Sequence, residues 1–217
     1  MSVSHINEAL GAVQQLKQNL LDKQRFKGFS GPVRMVSGAM ALTAAPIMAA
    51  PFYPMRGRYY ILGWAAVFLV AFLLNVIALI AWYLNDRKVQ RDITLLKPTL
   101  DVIPPLFVGA LLTGVLFYHK DFQYLYGMWM CMFGLTNLAS RYVLPPLISV
   151  VGLFYIVAGI VCLVATDHMF PNPWPMGIVF FIGETAGGMI LYHDRRRYAS
   201  FDRYMKNKDR EKKEAIA

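Results

Sequence analysis

Charge is scarce in this chain. Asp, Glu, Lys and Arg together make up 16% of its 217 residues, where a soluble domain carries about a quarter. Cysteine is scarcer: Cys131 and Cys162 are the only two. They lack the spacing of metal ligands and read as small buried apolar residues, uninformative about redox compartment. The histidines are His5, His119, His168 and His193. They lie at the N-terminus, in loops or at the ends of apolar runs, so no pair is set for bis-histidine haem. HExxH, CxxC, P-loop and GxSxG motifs are missing, which removes the common zinc, redox, nucleotide and serine-nucleophile chemistries. The apolar runs contain no lysine, which excludes a retinal-type Schiff base. These absences lead us to expect no catalytic residue, no cofactor, no metal and no enzymatic activity.

Apolar residues are what the chain has in quantity: 57% are hydrophobic and mean hydropathy is +0.42. Continuous apolar runs predict six membrane-spanning helices at 33–53, 59–84, 102–119, 123–140, 143–165 and 174–193. The runs do not alternate, so barrel strands are excluded. The expected fold is an all-α polytopic membrane bundle of six transmembrane helices, preceded by a cytoplasmic amphipathic helix. Its organisation reads as an N-terminal segment (1–31), a transmembrane domain (32–193) and a basic tail (194–217). In the first segment Ile6, Leu10, Val13 and Leu20 recur near helical spacing, as in a surface-lying or partner-packing helix. That segment is polar, so it is not a signal peptide. Pro104-Pro105 and Pro145-Pro146 each read as the first turn of a span, where a missing N–H matters least.

The basic residues are distributed unevenly. Nineteen fall in the segment to Arg34, the loop after the second span, Arg141 and the tail; the opposite side holds Arg56, Arg58 and Lys120. The positive-inside rule then places both termini in the cytoplasm. Because these bases flank the spans, their expected partners are anionic lipid headgroups, and not nucleic acid.

One carboxylate, Glu184, falls inside a predicted span, in FFIGETAGGM. A charge at mid-bilayer costs about 2.5–3.5 kcal/mol on insertion scales, so Glu184 must face protein or water, be paired, or be neutral. Gly183 and Gly187 form a GxxxG around it, with Gly188 adjacent, which suits close helix packing. On the first span Ser37, Ala41, Ala45 and Ala49 make a similar small-residue stripe. Counted inward from the cytoplasmic boundary, Asn75, Thr43 and Thr113 lie within about a turn of Glu184's depth. Glu184, Asn75, Thr43 and Thr113 are therefore the candidate intramembrane polar site, and Gly183, Gly187, Gly188, Ala41 and Ala45 the candidate packing residues. The sequence indicates no second ionisable group at that depth.

The stretches RFKGFSGPVRMVSG and NPWPMGIVFFIGETAGGMILYHDRR resemble a family of small bacterial integral membrane proteins with six spans. The resemblance implies a bacterial inner-membrane protein and carries no activity with it. Two functional readings result. The first is a non-enzymatic accessory or complex subunit, acting through helix contacts with other membrane proteins or with itself. The alternative is a small proton- or cation-linked transporter or channel in which Glu184 titrates, since a desolvated carboxyl can exchange a proton near neutral pH.

Overall fold

The computed structural model describes residues 28–54, 56–85, 100, 102–165 and 171–214, without side chains at 142, 198, 199 and from 201 onward. The expected amphipathic helix before residue 28, most of the loop after the second helix, and the last three residues lie outside the described residues. What is described is all-helical. Six α-helices follow in order: α1 (Gly31–Ala49), α2 (Gly57–Asn85), α3 (Ile103–His119), α4 (Leu125–Ala139), α5 (Ile148–Val164) and α6 (Trp174–Glu214). Short 3-10 turns at Phe122–Tyr124 and Ser140–Tyr142 bracket α4.

Among the described residues, three helices are long and apolar enough to cross a membrane: α1, α2 and the Trp174–Arg197 part of α6. The helices α3 and α5 have 17 residues each and α4 has 15. At about 1.5 Å per residue they fall short of a ~30 Å hydrocarbon layer.

Local chemistry explains where the helices depart from the expected runs. The first run was expected to continue to residue 53, yet α1 ends at Ala49. Ala50 is extended (φ −70°, ψ 148°) because it precedes Pro51, and the proline ring disfavours helical backbone in the residue before it. Pro104-Pro105 does open α3, but Pro145-Pro146 stands before α5. The carbonyls of Pro145 and Pro146 accept from the amides of Ile148 and Ser149 (2.9 and 3.0 Å), so the prolines build the turn that leads into that helix. The turn after α3 is closed by Lys120 in the left-handed region (φ 64°), whose amide caps the helix on Leu116 and Phe117. The helix α6 does not stop at the end of its apolar run; it continues through the basic segment to Glu214.

Two antiparallel helix pairs form the frame, α1 with α6 and α4 with α5. Both are joined where side chains are missing. A Cβ on Gly31 would stand 2.5 Å from the Gly188 carbonyl oxygen, and one on Gly177 2.7 Å from Ala45 Cβ. In the second pair a Cβ on Gly127 would meet Gly159 O at 2.6 Å, and one on Gly134 would meet Gly152 O at 2.7 Å. Backbones this close gain dispersion contact that larger side chains would block. The pairs meet across α5–α6 and α4–α6, where Phe133, Tyr155 and Phe180 pack in tilted and edge-to-face contacts with ring centroids 4.7–6.0 Å apart. The helix α2 rests on α1, and α3 on α4. Buried residues on α2 are Tyr60 and Trp64, and on α3 Gly109. Leu69, Phe72, Leu73 and Ile77 of α2, with Phe107, Leu111 and Val115 of α3, are exposed.

A candidate functional site between α1 and α6

Arg34 lies in the first turn of α1 and Glu184 near the middle of the apolar part of α6. Arg34 Nε donates to Glu184 Oε2 at 2.9 Å and Nη2 to Oε1 at 3.1 Å, the two-pronged geometry that makes guanidinium–carboxylate pairs strong. Nη2 also donates to Asn137 Oδ1 at 2.8 Å. Tyr155, fully buried on α5, donates its hydroxyl to Glu184 Oε1 at 3.0 Å. The amide of Asn137 is fixed by donating to Phe133 O at 2.8 Å, which aims its oxygen at the guanidinium. Four helices thus meet at one ion pair, whose carboxylate receives three hydrogen bonds.

Glycine makes room for the donors. A Cβ on Gly187 would lie 2.6 Å from Arg34 Cζ, and one on Gly183 2.5 Å from the Tyr155 hydroxyl oxygen. The GxxxG around Glu184 is therefore two slots, one holding the guanidinium and the other the phenol. Gly38 supplies the same service across the seam, where a Cβ would stand 3.0 Å from Glu184 Cβ. The side chains of Arg34 and Glu184 are 13% and 11% exposed. Separating such a pair strands a charge in a low-dielectric interior, whereas keeping it leaves the site neutral. The neighbouring Thr185 buries its hydroxyl oxygen with no hydrogen-bond partner.

Of the residues singled out in the sequence, Glu184 stands at the centre, and no hydrogen bond joins it to the other three. Asn75 donates to Ser37 Oγ (3.3 Å) and to Ala71 O (2.9 Å), tying α2 to α1. Thr43 is exposed and donates to Met40 O within its own helix. Thr113 donates to Gly109 O and accepts from Trp129 Nε1 at 3.0 Å, which joins α3 to α4. Gly188 packs on Gly31 and Met35, while Ala41 and Ala45 face Gly177. The expectation of no second ionisable group beside Glu184 is corrected by Arg34. That residue was grouped with the cytoplasmic bases, although it falls inside the first apolar run, and that was the available signal. Tyr155 carried another signal, as a tyrosine far from the span ends where the aromatic belt lies. Asn137 had no distinguishing mark.

Among the described residues, no group of three or more His, Cys, Asp or Glu side chains could hold a metal ion. The fold and site together define an all-helical bundle with apolar, membrane-length helices and an internally neutralised polar centre. Compared with known proteins, the chain matches no family model, no curated sequence and no solved structure.

Proposed function

We propose that this chain is a six-span protein of the bacterial inner membrane, with both termini cytoplasmic, acting as a non-enzymatic accessory protein or complex subunit. In this reading α3, α4 and α5 also cross. The 3-10 turns on either side of α4 extend it to residues 122–142, and short hydrophobic segments are accommodated by local thinning at modest cost. The basic asymmetry and the resemblance to small bacterial integral membrane proteins support the orientation and the compartment.

The observation that carries the functional reading is the occupancy of Glu184. Both its oxygens are engaged by a fixed cation and one also by a phenol. A carrier carboxylate must release its partner and meet water in each cycle; this one is held in place as a structural clamp joining α1, α5 and α6. The exposed apolar faces of α2 and α3 are the surfaces that remain for lipid or for helices of other membrane proteins. The test is reconstitution in liposomes with a pH-sensitive dye, alongside identification of what co-purifies in mild detergent. The expected result is no proton flux above empty liposomes and a stoichiometric membrane partner or self-association. Flux that disappears in a stably folded Glu184→Gln variant would overturn the reading in favour of transport.

A further inference from the structure

A guanidinium has five N–H donors. In Arg34, Nε and Nη2 spend three of them on Glu184 and Asn137. The two on Nη1 make no hydrogen bond among the described residues. Nor is Nη1 sealed inside the protein: among the described residues, Thr185 Oγ1 is the side-chain polar atom that is fully buried without a partner, and the Arg34 side chain keeps 13% of its surface open. One edge of a largely buried guanidinium therefore reaches the surface with both donors unused.

We propose that this edge binds the phosphate of an anionic phospholipid headgroup. Two parallel N–H groups match two phosphate oxygens, the pairing for which arginine is suited. The surrounding charge favours an anion over water. Glu184 already cancels the charge of Arg34, and the same end of the bundle carries exposed Arg141, Arg195, Arg196 and Arg197. Basic pockets between membrane helices on the cytoplasmic side are where such headgroups settle. Helix α1 adds its positive end there, since Ser30 makes no side-chain cap. A lipid is favoured over free phosphate because α1 and α6 also carry exposed apolar residues, Val36, Ile182 and Met189, surface on which acyl chains can lie. The inference rests on the cytoplasmic placement of this end, and not on the accessory role.

The experiment is thermal unfolding of the full chain in dodecyl maltoside, with added phosphatidylglycerol, phosphatidylcholine or inorganic phosphate. Phosphatidylglycerol should raise the wild-type midpoint by ~3 °C, and the other two should not. Arg34→Gln/Glu184→Gln, which keeps a neutral hydrogen-bonded pair, should lose that rise. Arg34→Lys serves if the double variant does not fold; it retains the charge without the fork and should lose most of the rise. Arg56→Gln/Arg58→Gln, at the opposite end of the bundle, should keep it. A rise that persists in the Arg34 variants, that vanishes in the Arg56/Arg58 variant, or that inorganic phosphate reproduces would overturn the proposal. The flux assay does not enter this result, so the two readings fail separately.

Discussion

The seam between α1 and α6 and the seam between α4 and α5 solve the same packing problem with different chemistry. Both are antiparallel, and both bring backbones into contact through glycines seven residues apart: Gly31 and Gly38 on α1, Gly127 and Gly134 on α4, Gly152 and Gly159 on α5. The α4–α5 seam has glycine backbone and aliphatic side chains against one another, as where Gly134 meets Ile156. It gains from close approach and asks nothing of any charge. The α1–α6 seam opens at Gly187 to admit a guanidinium and places a carboxylate beside it. Small residues there give proximity, and the ion pair adds selectivity: a helix with the same glycines but without Arg34 could pack against α6 only by leaving Glu184 uncompensated. The difference teaches that a GxxxG motif is a statement about space, and what fills the space decides its role.

The comparison is broken most severely by removing one charge. Arg34→Leu should lower stability by about 3–5 kcal/mol, because it strands Glu184 in the interior. Arg34→Leu/Glu184→Leu should recover much of that loss, as measured by unfolding in detergent. Tyr155→Phe comes next. It removes one hydrogen bond to a charged acceptor while keeping the ring contacts with Phe133 and Phe180, at a cost of about 1.5–3 kcal/mol.

The same one-carbon change in each seam sharpens the contrast. Gly134→Ala should cost about 1–3 kcal/mol, because the new Cβ would stand 2.7 Å from the Gly152 carbonyl oxygen and that backbone cannot swing aside. Gly187→Ala should cost more than Gly134→Ala, since its Cβ would displace the guanidinium and loosen the clamp as well. Melting curves of the two variants measured together check the order. At the far end stands Gly114 on α3, where an added Cβ would meet nothing within 4 Å. Gly114→Ala should be neutral or stabilising by up to about 1 kcal/mol through helix propensity. A large loss there would mean that α3 is covered by another helix in the intact assembly.

The α1–α6 half of this contrast was partly legible in the chain, through Glu184 and its flanking glycines; the glycines of the α4–α5 seam were not singled out, and the missing parts have definite causes. Long apolar runs located all six helices to within about five residues at each end, except the C-terminal end of α6, which continues past its apolar stretch to Glu214, because such runs report local hydrophobicity and not helix length. The ends were set by prolines acting on their neighbours, which is why Ala49 and Ile148 had to be corrected. Glu184 was legible because a lone carboxylate in an apolar run demands compensation. Its partners were not, because pairing across 150 residues of sequence depends on which helices meet. Depth counting placed Asn75, Thr43 and Thr113 at Glu184's level; the bundle turns Asn75 toward Ser37, Thr113 toward Trp129, and leaves Thr43 outside. Arg34 was discounted because bases near a helix end usually extend outward to headgroups. Here the empty Gly187 position lets the side chain turn inward instead.

The central claim is that Arg34 and Glu184 act as one unit holding α1 to α6. A double-mutant cycle of Arg34→Gln, Glu184→Gln and the pair, followed by unfolding in detergent, measures that most directly. The account predicts that the single losses exceed the double loss by a coupling of about 2 kcal/mol or more. Losses that add to within about 0.5 kcal/mol would show two independent side chains, and would contradict it.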